Sequence, residues 1–131
     1  MEGNRKLLNI ELHRVSAQQY KELPESGLVV VLDNIRSAHN VGSAFRSSDS
    51  FKVDKVWLCG ICAVPPSAEI HKSALGAEDS VAWEYSDSTL SVIGRLKADG
   101  YTVVSVEQTV NSVMMDSFVP EPGRKYALVF G

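Results

Sequence analysis

Continuous apolar runs alternate with helical repeats along this chain of 131 residues. Residues 28–32 form the longest run of branched apolar side chains, which is typical of a strand buried on both faces. Shorter runs predict further strands at residues 55–59, 81–85, 101–106 and 126–130. Because helical segments separate these runs, the pattern predicts an α/β fold with a mainly parallel sheet flanked by helices.

The segment after the first strand changes from a polar turn to helical spacing. Asn40 is a candidate N-cap, and the apolar positions that follow share one face: Val41, Ala44 and Phe45. Gly42 and Arg46 lie one turn apart on another face. A helix start offers free N–H groups and a glycine admits close approach, so this face predicts a phosphate-facing site with Arg46 as its fixed cation. Alternatively, Arg46 is a surface residue paired with a carboxylate such as Asp49.

Two other regions have helical character. Residues 1–27 are predicted to form an N-terminal helical segment, which either packs on the domain or contacts RNA through its basic residues. Asp87 and Ser88 are predicted to cap a helix that Gly100 ends. The apolar positions of this helix are expected on one face: Leu90, Ile93 and Leu96. The remaining domain covers residues 28–131.

Composition limits the cellular compartment and the classes of partner that are expected. The net charge of −3 is not that of a protein that coats itself with nucleic acid. Residues 1–72 hold nine Lys/Arg against eight Asp/Glu, whereas residues 73–131 hold four against eight, so any RNA contact would favour the first half. No apolar run approaches the roughly 20 residues that span a bilayer. A cytoplasmic protein without a membrane partner is therefore expected.

Cys59 and Cys62 form a C-x-x-C pair. Such a pair is found in redox and zinc sites, but a zinc site needs further ligands, and a proline pair follows too soon for a thioredoxin-like helix. We therefore predict two reduced thiols at a strand end and no metal.

Three segments of this sequence resemble motifs of one enzyme family. Asn40-x-Gly42-x-x-x-Arg46 after a buried strand is similar to motif 1 of the SpoU-type (TrmH-like) RNA ribose 2′-O-methyltransferases of the SPOUT superfamily. Residues 72–78 resemble the K-x-A-x-G-A segment of that family, and residues 127–131 resemble the start of its motif 2. The rest of motif 2 and all of motif 3 would follow Gly131, so the resemblance implies a family member that stops before its cofactor site is complete.

The resemblance implies a fold and an activity. The fold would be a dimeric α/β methyltransferase whose trefoil-knot segment lies beyond this chain, and S-adenosylmethionine would donate a methyl group to a ribose 2′-hydroxyl of RNA. The short N-terminal segment slightly favours tRNA over rRNA. The alternative is a non-catalytic RNA-binding or dimerising module, because the cofactor site is incomplete.

The resemblance also implies roles for single residues. Arg46 would be catalytic and positioned by Asn40, although the strongly basic guanidinium group, which holds its proton, makes arginine a poor proton acceptor. Gly131 and Glu107 would bind the cofactor, and for Glu107, which follows the fourth strand, a solvated carboxylate is an equal alternative. The implied RNA contacts are Arg36, His39, Gly42, Lys72 and Ser73. Alternatively, His39 caps the turn and residues 72–73 are a plain helix start.

Overall fold

Five parallel strands form the sheet of this protein. A computed structural model describes residues 24–107 and 118–131. The strand order is β3-β2-β1-β5-β4, and every neighbouring pair is parallel. The strands are β1 (Leu28–Asp33), β2 (Lys55–Cys59), β3 (Trp83–Ser86), β4 (Thr102–Val106) and β5 (Tyr126–Phe130). The predicted mainly parallel α/β sheet is therefore confirmed, and two of its strands, 55–59 and 126–130, match to the residue.

Four helices flank the sheet within the described residues: α1 (Ala38–Ser50), α2 (Ala68–Ala74), α3 (Ala77–Ser80) and α4 (Thr89–Ala98). The helix predicted in the N-terminal segment lies almost wholly in residues 1–23, outside the described part of the chain. None of the helices that the structure describes has the length and apolar character that a bilayer crossing requires.

Both faces of the central strand are covered, as the apolar run predicts. Residues 29–32 of β1 are each at most 7% exposed. Alternate side chains point to opposite faces of a strand, so Val30 and Leu32 pack with α1, α2 and α3, whereas Val29 and Val31 pack with α4. The sheet therefore separates two apolar clusters, and the motif helix α1 lies on one side only.

The helix after the third strand differs from the prediction in its buried face. Ser88 is the N-cap, as predicted, and its Oγ accepts a hydrogen bond from the Ser91 N–H at 3.2 Å. Val92 and Leu96 are buried against the sheet and Ile93 packs partly against it, as predicted for Ile93 and Leu96, whereas Leu90 is 82% exposed. The buried face is therefore centred between Val92 and Leu96, which are one turn apart, and Leu90 lies at its edge.

Two other boundaries were also misplaced. The third strand begins at Trp83 and not at residue 81, because Val81 still donates its N–H to the Ala77 carbonyl at the end of α3. Lys72 does not start a helix, since α2 begins at Ala68 with Ser67 as its N-cap.

An apolar groove of about 570 Å3 runs along α1 on the side of β1 and β5. Its walls include Leu28 and Leu32 of β1 and Leu128 of β5. Phe51, 73% exposed, and Phe130, 36% exposed, also line it. The described residues thus leave one part of this sheet face uncovered.

Candidate functional site

The strand order defines where a ligand crevice lies. From β1 the chain moves outward through β2 to β3, and it then returns through β4 to β5 on the other side of β1. The strands β1 and β5, the first and last that the structure describes, therefore lie side by side, and in open parallel sheets ligands bind beyond the carboxyl ends of the strands. Here those ends carry Asp33 and Gly131.

The two predicted cofactor residues lie at this edge. Leu32 of β1 and Val106 of β4 are both in register with Phe130 of β5. Glu107 and Gly131 are the next residues of their strands, so parallel pairing brings them to neighbouring strand ends, and both are exposed. The sheet register thus gathers residues that are far apart in sequence.

Asp33 contacts residues of three separate elements at the crevice. Its Oδ1 accepts hydrogen bonds from Asn34 Nδ2 at 2.8 Å and from Thr89 Oγ1 at 2.6 Å. A Cβ atom built on Gly131 would lie 3.5 Å from Asp33 Oδ2, so this second oxygen faces the end of β5. Neither Asp33 nor Thr89 is among the site residues predicted from the sequence, in which the two are 56 positions apart.

Asn34 fixes the loop between β1 and α1. Its backbone is in the left-handed region, with φ 56°, and its N–H donates to the Cys59 carbonyl at 3.1 Å. Its side-chain Oδ1 accepts from the Ile61 N–H at 3.0 Å. A Cβ atom on Gly60 would lie 1.9 Å from that Oδ1, so only glycine allows the two loops to meet. An asparagine directly after a buried strand is a signal from which this turn could have been predicted.

The start of α1 corrects the predicted N-cap. Ser37 caps the helix, and its Oγ accepts a hydrogen bond from the Asn40 N–H at 3.1 Å. Asn40 is therefore in the first turn, where its exposed side chain is not used for capping. Arg36 and His39 are also exposed, so three of the predicted site residues are presented together at the start of α1.

Arg46 lies further along the same helix with an exposed side chain. Its guanidinium forms no ion pair with any residue in 24–107 or 118–131, so the structure gives no support to the pairing with Asp49. Six residues of helix separate Asn40 from Arg46 by about 9 Å along the axis and about 120° around it. Asn40 and Arg46 of one chain are thus not brought into contact.

Helix packing gives Gly42 and Ser73 a role that differs from the predicted RNA contact. A Cβ atom on Gly42 would lie 2.0 Å from Ser73 Oγ and 2.3 Å from the Ile70 carbonyl oxygen. Ser73 is buried, and its Oγ donates to the His39 carbonyl at 2.7 Å. Both residues therefore serve the contact between α1 and α2, and neither is open to an RNA phosphate.

Lys72 differs from its neighbour Ser73. Its side chain is 71% exposed, and its Nζ lies 3.2 Å from Glu69 Oε1 in an exposed pair. Exposed pairs of this type contribute little, so the ammonium is available to another anion. Because Ser73 touches the His39 carbonyl, Lys72 lies close to the start of α1.

Both cysteines are buried and free. Cys62 Sγ accepts from the Ile35 N–H at 3.2 Å and lies 3.4 Å from the Leu32 carbonyl, to which the thiol donates. Burial raises the pKa of the Cys59 thiol to about 11. Among the residues that the structure describes, no group of three candidate ligands surrounds a metal site. The pair therefore packs the strand ends as thiols.

These features define an open parallel α/β domain with a ligand crevice at the carboxyl ends of its strands and an exposed arginine on the adjoining helix. The sequence profile of the SpoU rRNA Methylase family matches residues 27–131. The chain belongs to that family, which confirms the resemblance found in the motifs.

Curated relatives agree with this assignment. Over 82 residues, 63% of the chain, the sequence is 35% identical to a 23S rRNA (guanosine-2′-O-)-methyltransferase RlmB of Nitrosomonas europaea, and the match covers 32% of that protein. A TrmH family tRNA/rRNA methyltransferase of Staphylococcus haemolyticus is 30% identical over 90 residues, 69% of the chain and 36% of that protein. The chain thus spans about a third of the length of these relatives.

Solved structures show the same fold. An rRNA methyltransferase from Sinorhizobium meliloti has a TM-score of 0.72 at 23% identity, over 86% of this chain and 43% of that one. A TrmH/SpoU tRNA modifying enzyme of A. aeolicus has a TM-score of 0.71 at 20% identity, over 88% of this chain and 59% of that one. An AdoMet-bound rRNA methyltransferase from Sinorhizobium meliloti has a TM-score of 0.71 at 21% identity, over 84% of this chain and 42% of that one.

Proposed function

We propose that the protein carrying this chain transfers a methyl group from S-adenosylmethionine to a ribose 2′-hydroxyl of RNA in the cytoplasm. The observation that carries the proposal is Arg46, an exposed guanidinium without an ion-pair partner among the described residues, on the helix that follows the central strand. Family membership and the AdoMet-bound structural neighbour support the choice of methyl donor.

The residues at the crevice suit this cofactor. Gly131 leaves the end of β5 without a side chain, and two carboxylates, Asp33 and Glu107, flank that end from β1 and β4. The methyl donor is a cationic sulfonium compound, so carboxylates at this edge favour its binding. When bound, it supplies an activated methyl group.

Arg46 acts on the RNA and not as a proton acceptor. An arginine guanidinium is a donor of hydrogen bonds and a poor base. A fixed cation stabilises negative charge that develops on the 2′-oxygen as its proton passes to the adjoining RNA phosphate, and it can also hold that phosphate through its planar fork. We assign this electrostatic role to Arg46. Asn40 is exposed on the same helix.

RNA contacts are assigned to the exposed residues near the start of α1, namely Arg36, His39 and Lys72. They carry two fixed positive charges that phosphates attract, without selecting a base sequence. The preference for tRNA over rRNA stays a prediction. Methylation of purified tRNA and of ribosomal RNA by the complete protein tests it.

The experiment for the activity compares Arg46→Ala, Arg46→Lys and the control Arg95→Ala in the complete protein. Arg95 lies on α4, on the other side of the sheet. Both Arg46 variants should lose at least 100-fold in methyl transfer, since losing one fixed donor at a reacting oxygen typically costs about 10²–10³ in kcat. The control should retain activity. Near-normal turnover by Arg46→Ala would remove Arg46 from the reaction.

The apolar groove supports a homodimer, and it also favours the second candidate function, a dimerising RNA-binding module. Phe51 is 73% exposed at this groove, and exposed apolar patches of this kind mark interaction sites. A second copy of the chain is our proposed occupant. Phe51→Asp should shift the complete protein to monomer in light scattering, whereas Leu90→Asp, similarly exposed on α4, should not. A dimer that is unaffected by Phe51→Asp would exclude this interface.

A dimer that binds RNA but neither binds S-adenosylmethionine nor transfers its methyl group would favour the module over the enzyme. Calorimetric titration of the complete protein with S-adenosylmethionine, beside an RNA-binding measurement, separates the two functions. The enzyme requires both ligands to bind, and the module requires RNA alone.

A further inference from the structure

Asp33 is a half-buried residue at the crevice, and one of its two carboxylate oxygens accepts no hydrogen bond from the described residues. Oδ1 accepts both hydrogen bonds that the side chain receives, from Asn34 Nδ2 and Thr89 Oγ1. Oδ2 has no hydrogen bond, and Asp33 forms no ion pair, with the residues described in 24–107 and 118–131. Oδ2 is not one of the buried side-chain atoms that lack a partner, so it keeps contact with solvent and is open to a cationic ligand, which its charge attracts.

The surrounding residues hold this oxygen in place. Thr89 comes from the first position of α4 and Asn34 from the loop after β1, so two separate elements fix the carboxylate plane. Asn34 is itself tied to the loop after β2 through the Ile61 N–H. On the remaining side lies Gly131, which has no side chain and is exposed. Oδ2 is therefore directed toward the carboxyl end of β5.

We propose that Asp33 binds the positive charge on the methionine part of S-adenosylmethionine through Oδ2, with Thr89 as the residue that orients it. The inference rests on the proposed function, because it takes the cofactor from there. The positive charge comes from two groups, the sulfonium and the α-ammonium. A ribose hydroxyl of the adenosine part is the competing neutral donor, and the test separates it from both.

The test measures the affinity of the complete protein for three ligands by calorimetric titration. S-adenosylmethionine carries the sulfonium and the ammonium, S-adenosylhomocysteine carries the ammonium only, and 5′-methylthioadenosine carries neither but keeps the ribose. Asp33→Asn keeps the shape of the side chain and an oxygen acceptor while it removes the charge. It should weaken S-adenosylmethionine about tenfold, or about 1.4 kcal/mol, and leave 5′-methylthioadenosine unchanged.

The three ligands also locate the contact. An equal loss for S-adenosylhomocysteine assigns Asp33 to the ammonium, and an undiminished affinity for it assigns Asp33 to the sulfonium. Thr89→Val should give the same pattern with a smaller loss. Glu69→Gln is the control, since it removes an exposed carboxylate on α2, and it should change no affinity. Melting temperatures of all variants show whether the fold is retained.

Two results overturn the proposal, and they differ in what else they overturn. If Asp33→Asn weakens 5′-methylthioadenosine as much as the charged ligands, or weakens none of them, Asp33 has no role toward the positive charge while the cofactor proposal stands. If wild-type protein binds none of the three ligands, the cofactor proposal fails as well. A variant that loses its fold is replaced by Thr89→Val, whose ligand pattern decides in its place.

Discussion

The buried and the exposed sides of α1 carry different parts of one sequence motif. On the buried side, Gly42 and its neighbours Val41 and Phe45 pack against α2 and the sheet. On the exposed side, Asn40 and Arg46 make no side-chain hydrogen bond to the residues that the structure describes. The Asn-x-Gly-x-x-x-Arg pattern therefore combines two functions. Its glycine lets two helices pack closely, and its polar residues are presented to a ligand.

Gly42→Ala should have the largest effect on stability. Its methyl group would meet the Ile70 carbonyl and Ser73 Oγ at 2.3 and 2.0 Å, so α2 would have to move. We expect the free energy of unfolding to fall by about 2–3 kcal/mol, even though alanine is the better helix former. Denaturant unfolding of the chain measures this effect.

Gly94→Ala is the matched control for this change. Gly94 lies within α4, and nothing lies within 4 Å of a Cβ atom built there. We expect this variant to gain about 0.5–1 kcal/mol. Equal effects of the two alanines would refute the packing role of Gly42.

Substitutions in the first turn of α1 should change the free energy of unfolding by an intermediate amount. Ser37→Ala removes the side-chain acceptor for the Asn40 N–H, and we expect a loss of about 1 kcal/mol in the free energy of unfolding. Asn40→Ala should cost less than about 0.5 kcal/mol, because an exposed side chain without a capping role is replaced. If thermal unfolding showed a larger loss of stability for Asn40→Ala than for Ser37→Ala, Asn40 would be the N-cap.

Arg46→Ala should have the smallest effect on stability and so sharpens the contrast with Gly42. No ion pair with a described residue is lost, and the free energy of unfolding should change by less than about 0.5 kcal/mol. Thermal unfolding beside the transfer assay measures both quantities on one preparation. A large drop in melting temperature would place Arg46 in a structural interaction and would undermine the division of α1 into two sides.

The sequence by itself determined the sheet and much of the site edge. The runs at 28–32, 55–59 and 126–130 form neighbouring strands of a parallel sheet, and their largely apolar composition was enough to locate them. Because ligands bind beyond the carboxyl ends of such strands, the strand pattern alone also placed Glu107 and Gly131 at one edge. The motifs named the family on the same local information.

Only the tertiary structure decided what the single residues do. A helical glycine can admit a ligand or another helix, and the choice for Gly42 depends on α2, about 30 residues further along the chain. The partner of Asp33 is 56 positions away, and no local pattern pairs an aspartate at a strand end with a threonine at a helix start. Local periodicity reports which segments are buried, whereas contacts between distant segments form only when the sheet order and the helix packing are fixed, and those contacts separated the structural residues of this motif from the exposed ones.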